Sequence, residues 1–188
     1  MRLTIAVTGA SGVIYGKRLL EELRNKKIET HLVISNAAKK IIKHELGTSE
    51  KSLEKLANHV HEIDDWSSPI VSGSFKTDGM VIIPCSMKTL AGIANGFAEN
   101  VILRAADVTL KEKRKLILVP RETPLNSIHL KNMLDLAQLG TYIIPAMPAF
   151  YHKPKSVEGL IDFVVGRVLD QLDVDHSLYR RWENGELR

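Results

Sequence analysis

Short apolar runs alternating with stretches of helical periodicity limit what this chain can fold into more than any other feature does. "LTIAVTG" (3–9), "ETHLVIS" (29–35), "GMVIIPCS" (79–86), "KLILVPRE" (115–122) and "TYIIPAMPAF" (141–150) read as buried strands. Between and after them, 13–26, 36–46, 88–113, 127–140 and 156–172 read as helices; Val13, Leu19, Leu20 and Leu23 mark the apolar stripe of the first. Apolar strands alternating with helices mean a parallel sheet covered on both faces. The expectation is an α/β fold: a three-layer, doubly wound parallel sheet. At 188 residues the chain suits one domain, 1–188, with 173–188 as a polar, basic-aromatic tail. The stretch 47–78 reads as irregular, because "DDWSSPIVSGSF" is rich in Ser, Gly and Pro. The helix 88–113 is expected to break near Gly96.

Composition removes several function classes. A single cysteine, Cys85, excludes an internal disulfide and a multi-cysteine zinc site. No apolar run approaches the roughly 18 residues that a membrane span needs. The N-terminus enters a strand at once, with no signal-peptide pattern, so a cytoplasmic location is expected. The net charge of +4 suits an anionic small ligand better than nucleic acid. Only "LKEKRKL" (110–116) clusters positive charge, which sequence alone reads as a solvated face. Aromatic residues are too scattered for base stacking.

In doubly wound sheets, ligands sit beyond the carboxyl ends of the strands. Those ends hold Ser11, Ser35, Cys85, Ser86, Thr89, Arg121, Glu122 and Tyr151. Hydroxyls, one thiol and an Arg/Glu pair therefore converge on one rim. The first loop, "AVTGASGVIYG" (6–16), spaces its glycines G-x-x-G-x-x-x-G, and a helix start after such a turn offers bare amides to an anion. NAD fits poorly. The second strand ends "VISNAA" without the acidic residue that binds ribose hydroxyls, and Pro154 breaks the tempting Tyr151/Lys155 pair. A monophosphate such as FMN fits better; a ligand-free tight turn is the plain alternative.

"PCSMKTLAG" (84–92) places Ser86 and Thr89 at another helix start, where such residues also serve simply as caps. "VPRETP" (119–124) holds Arg121 and Glu122 in a fixed turn. They read either as a phosphate clamp beside a proton-transfer carboxylate or as a surface ion pair. Cys85 closes an apolar strand and reads as a buried small hydrophobe. His44, His59, His61, His129, His152 and His176 show no metal-ligand spacing. "DDW" (64–66) lacks a second aspartate pair and "DQLDVDH" (170–176) has the wrong spacing for an aspartate-rich magnesium motif. No metal is expected.

"TGASGVIYG", "SGSF", the run from "PCSMKTLAG" through "VPRETPLNSIHLKNM", and "PAMPAFYHKPKSVEGLIDFVVGRVLDQL" resemble the UbiX-type flavin prenyltransferase family. That family was long described as the small subunit of aromatic-acid decarboxylases. The resemblance runs over nearly the whole chain and rests on the PRETP-like and AFYHKP-like segments.

The resemblance implies a flavodoxin-like, Rossmann-related fold and a metal-independent reaction. Reduced FMN accepts a dimethylallyl group from dimethylallyl monophosphate, first at N5 and then at C6. The prenylated FMN goes to a separate UbiD-type decarboxylase. FMN contacts carry over to Gly9, Ala10, Ser11, Ser35, Ser86, Met87, Lys88, Thr89, Arg104 and Arg121. Substrate-phosphate contacts carry over to Lys111, Arg121, Tyr151 and Arg167. Ser11, Glu45 and Glu122 match further active-site positions, with Ser11 and Glu122 placed to relay the proton lost on ring closure. Trp182 matches a tail position that packs on a neighbouring subunit. Members form dodecamers with sites at subunit interfaces. Two other readings compete: a decarboxylase of the related cysteine class, whose loop and histidine this chain lacks, and a flavin carrier, which leaves the extra cations unexplained.

Overall fold

The structure, a computed structural model, describes residues 1–182 and the backbone of 183, 186 and 187. Its chain order is β1 (Arg2–Val7), α1 (Val13–Asn25), β2 (Glu29–Ile34), α2 (Asn36–Leu46), the short α3 (Lys51–Glu54) and β3 (His59–His61). A 3-10 turn at Pro69–Val71 leads to β4 (Gly79–Cys85), α4 (Met87–Ala94), α5 (Val101–Lys111), β5 (Lys115–Pro120) and α6 (Ser127–Gln138). β6 (Tyr142–Ile143) and α7 (Val157–Gln171) complete the body, and a small antiparallel hairpin, β7 (Trp182–Glu183) and β8 (Glu186–Leu187), lies in the tail. The sheet order is β3-β2-β1-β4-β5-β6, and every neighbouring pair in it is parallel. This is the doubly wound Rossmann order; without the three-residue edge strand β3 it becomes the flavodoxin order.

The period-2 alternation of side chains splits the apolar strands between two cores. In β4, Val81 and Ile83 face α1 and α7, with Leu19, Leu20, Leu23, Val165 and Leu169. Met80 and Ile82 face the other way, onto Leu90 of α4, Ala106 of α5 and Leu136 of α6. Two buried faces explain why these strands read as continuous apolar runs.

Two differences from the sequence expectation, and one break that it foresaw, have physical causes. The stretch 47–78 contains α3 and β3; the exposed edge strand "HVH" has no buried face to create a pattern. The stretch 88–113 breaks where expected: Gly96 turns left-handed at φ 69°, and Asn100 starts α5 by accepting the Leu103 N–H at 3.0 Å. The strand 141–150 shrinks to Tyr142–Ile143, because Pro145 and Pro148 have no N–H for a ladder. Ile144 and Ala146 still donate to Leu118 and Pro120, so the segment tracks β5 to the rim. Among the described residues, no helix is long and apolar enough to cross a membrane.

Candidate functional site

The sheet order reverses between β1 and β4, and a crevice opens where the loops after these strands part. Buried Thr8 clasps its floor. Its hydroxyl donates to the Pro84 carbonyl at 2.9 Å and accepts the Ser86 N–H at 2.8 Å. Two helices begin on this floor. Ser35 caps α2 by accepting the Ala38 N–H at 3.2 Å, and Ser86 caps α4 by accepting the Thr89 N–H at 3.3 Å. The capping role read as the plain alternative for Ser86 is therefore real. Caps of this kind satisfy only part of a helix start, and the remaining first-turn amides need partners. A cleft of about 610 Å³ lies over both starts and is lined by Gly9, Ser35, Ser86, Met87, Lys88, Thr89 and Glu122.

The first loop is built differently. Gly12 takes φ 100°, a left-handed conformation suited to glycine, and starts α1 without a side-chain cap of its own. The cap comes from α2. The Glu45 carboxylate accepts the Gly12 N–H at 2.9 Å and the Val13 N–H at 3.2 Å. Gly9 is set by close approach, since a Cβ there would stand 2.6 Å from that of Ala37. Ala10 is buried and Ser11 is exposed beside this start.

Arg121 supplies the rim's unsatisfied charge. Its Nε is buried and has no hydrogen-bond partner. It lines a second cavity of about 280 Å³ with Pro145, Ala146 and Met147, and Glu122 borders both cavities. Burial raises the Tyr15 phenol above its ordinary range, and the Arg121 charge opposes that rise. A buried guanidinium nitrogen aimed at no acceptor favours a bound anion. Arg121 and Glu122 form no ion pair with each other among the described residues.

Other sequence candidates lie apart from this cleft. Arg104 is tied to the Val71 carbonyl at 3.2 Å and to Asp107 at 2.7 Å. Lys111, at the far end of α5, pairs with Glu112. Tyr151 packs edge-on against Phe163 and Trp182, with ring centroids 5.9 and 6.3 Å away. Arg167 binds Asp170 at 2.9 Å and the Tyr179 hydroxyl at 3.4 Å. Asp170 also takes hydrogen bonds from Arg181, Tyr179 and His176; burial alone would raise its carboxyl, but these bring it to about 2. Cys85 is buried, and burial pushes its thiol far up.

The flavoprotein family model matches residues 1–169. Flavin prenyltransferase UbiX of Methanocaldococcus jannaschii is 57% identical over 97% of this chain and 98% of its own length. The chain belongs to the UbiX-type flavin prenyltransferase family. Among solved structures, AnUbiX (PadA1) in complex with FMN and dimethylallyl pyrophosphate superposes with a TM-score of 0.96. It is 49% identical, and the match covers 98% of each chain. A dodecameric FMN-dependent UbiX-like decarboxylase from Escherichia coli O157:H7 superposes with a TM-score of 0.95 at 50% identity. That match covers 98% of this chain and 100% of that one.

Within this UbiX-type chain, sequence reasoning missed the clasp. Thr8 was legible only as a strand end, because its role depends on β4 lying beside β1. It also missed Asp64 and Asn100, which line the cleft from loops without a motif. Spacing along the chain indicates no cluster, yet the pairing of β2 with β3 brings Glu29, His31 and His59 within 4.8 Å of one another. The tail hairpin falls partly outside the described residues: 184, 185 and 188.

Proposed function

We propose that this chain transfers a dimethylallyl group from dimethylallyl monophosphate to reduced FMN, which is here the acceptor substrate. The observation that carries the reading is the buried, unpartnered Nε of Arg121 on a rim onto which two helix N-termini also open. The fit to FMN rests on these features: a cleft sized for a mononucleotide, first-turn amides at α2 and α4, and one cation without an acceptor.

In the reaction, the C–O bond of the donor breaks as a C–N bond forms at N5, and inorganic phosphate leaves. The N5 proton leaves with the phosphate; the ring then closes as C6 bonds to the alkene of the N5 adduct, one proton being added to the neighbouring alkene carbon and one lost from C6. Reduced flavin is electron-rich, so the protein need not supply a nucleophile. The protein's part is to hold the leaving phosphate and move the proton. Arg121 meets the developing phosphate charge; Ser11 and Glu122, on the same rim, relay the proton from C6. Gly9, Ala10, Ser35, Ser86, Met87, Lys88 and Thr89 hold the flavin. Cys85 takes no part, since a thiol so raised stays protonated.

Lys111, Arg104, Tyr151 and Arg167 reach the substrates across subunits in this reading. The rim of one protomer is completed by α5, α7 and the segment before α7 of its neighbours, in a dodecamer. What supports this is exposed apolar surface. Ile128, Leu130, Leu134 and Leu139, on and just after α6, are 54–66% exposed, and Phe150 and Trp182 are 69% and 61% exposed. Such surface marks association in soluble proteins. The sequence has no aspartate-rich motif with two aspartate pairs, so in this reading the leaving group is clamped by cations rather than magnesium, which suits a monophosphate. The product serves a UbiD-type decarboxylase.

The test is anaerobic incubation of the protein with reduced FMN and dimethylallyl monophosphate, followed by mass spectrometry of the extracted flavin. FMN heavier by one isoprene unit, formed in the presence of EDTA, is expected. Lys111→Ala is expected to bind FMN and give no product. Unchanged FMN recovered on folded wild-type protein overturns the reading in favour of a carrier or a decarboxylase. Product from the diphosphate alone overturns the monophosphate assignment.

A further inference from the structure

β2 and β3 pair in parallel with His31 opposite His59 and Val33 opposite His61. With side chains alternating along each strand, Glu29 and His31 share one face of β2, and His59 and His61 share one face of β3. We propose that Glu29, His31 and His59 form a binding site for a divalent first-row cation of the Zn²⁺ type, at the amino-terminal end of the sheet.

The geometry carries this. His31 Nε2 lies 3.2 Å from Glu29 Oε1, and His59 Nε2 lies 3.7 Å from the same oxygen. Ligand atoms about 2.1 Å from a tetrahedral ion are separated by about 3.4 Å, which these two distances bracket. All three ligand atoms fall within 4.8 Å of one another; the His31 and His59 rings stack 4.5 Å apart, so the exposed His59 ring turns to aim its Nε2 lone pair at the ion. Two imidazoles and one carboxylate leave a fourth position for water and match the donor preference of Zn²⁺.

A second shell stands ready behind the buried ligand. His31 is 3% exposed, and its other nitrogen, Nδ1, lies 2.9 Å from His61 Nε2. His61 Nδ1 in turn lies 2.9 Å from the Ser68 hydroxyl. With a metal on His31 Nε2, the His31 Nδ1–H donates to His61 Nε2 and the His61 Nδ1–H donates to Ser68 Oγ. That chain fixes both the tautomer and the ring orientation, as outer-shell partners do in metal sites. Phe75 packs edge-on against the His31 ring at 5.1 Å and walls one side. Arg2 donates to Glu29 Oε1 at 2.8 Å. A carboxylate has two oxygens and about four lone-pair directions, so cation and guanidinium share it. His59 is half-exposed and gives the ion its way in. Bound there, the ion ties a three-residue edge strand to the sheet, far from the rim that carries the reaction.

The test uses the whole chain, stripped with chelator, and titrates ZnCl₂ by calorimetry with thermal unfolding measured alongside. Wild type is expected to bind one equivalent per chain and to melt higher with Zn²⁺. His59→Ala, altered at a half-exposed position, is expected to lose at least about tenfold in affinity together with the Zn²⁺-dependent rise in melting temperature. Glu29→Gln is expected to do the same, and His44→Ala, at a surface histidine outside the site, to behave as wild type. Co²⁺ in place of Zn²⁺ should give a visible absorption spectrum that His59→Ala abolishes. Failure of wild type to take up one equivalent, or equal affinity in wild type and His59→Ala, overturns the proposal.

Discussion

The two ends of one sheet treat charge in opposite ways. At the amino-terminal end the cations are engaged. Arg114 donates to the Gly73 and Phe75 carbonyls at 2.7 and 2.8 Å, Lys115 meets Asp173 at 2.8 Å, and Arg2 holds both Glu29 and the Lys76 carbonyl. At the carboxyl-terminal rim, Arg121 keeps a buried nitrogen with no acceptor, and two helix starts open onto a cleft. Satisfied groups stabilise the fold, whereas groups left unsatisfied are held for something else. Changes at the rim should therefore appear in rate, and changes at the far end in stability.

The largest effect is expected at Arg121. Arg121→Ala should lower turnover by on the order of 10²–10³, the usual result of removing one preorganised charge, while the melting temperature holds or rises. Single-turnover kinetics and a thermal melt on the same sample check both. A large drop in melting temperature would mean that Arg121 is structural and that the contrast between the two ends fails.

Next comes Asp170, near the end of α7. Its carboxyl stands at about 2, against an ordinary value of 3.8. A carboxyl depressed in the folded state stabilises it fully above the unfolded value, and that stabilisation disappears as pH falls through the folded value. The difference is worth about 2 kcal/mol. Denaturant unfolding of wild type should lose this between about pH 4 and pH 2. Asp170→Asn should be less stable at neutral pH and lack that step. An identical pH profile in the variant would remove Asp170 from the account of stability.

The smallest effect is expected at Cys85. Cys85→Ala should keep full turnover and lose about 1 kcal/mol of stability, an ordinary cost for trimming a core side chain. Loss of turnover with an unchanged melt would return the thiol to the chemistry.

The fold was legible because β1, β4 and β5 lie between two covering layers and so read as pure apolar runs. β3 was not legible: an edge strand of three residues, with two of them histidine, carries no periodic signal. The rim was legible at Ser35, Ser86 and Arg121, because strand ends and helix starts follow one another in sequence. Thr8 and the Glu29–His31–His59 group were not, since each exists only once separate strands lie side by side. Lys111 reads as a solvated lysine both in sequence and in the isolated protomer; only family resemblance singles it out.

The carboxylate of Glu45 on the Gly12 and Val13 amides has a consequence for ligand choice. In a dinucleotide enzyme the corresponding helix start is bare and receives a pyrophosphate. Here that place already belongs to an anion tethered to the same chain, present at the high effective concentration that tethering confers. A free pyrophosphate must compete with it at every encounter. The protein thus carries its own inhibitor of the dinucleotide mode, and leaves the starts of α2 and α4 as the places where a smaller phosphate meets no rival.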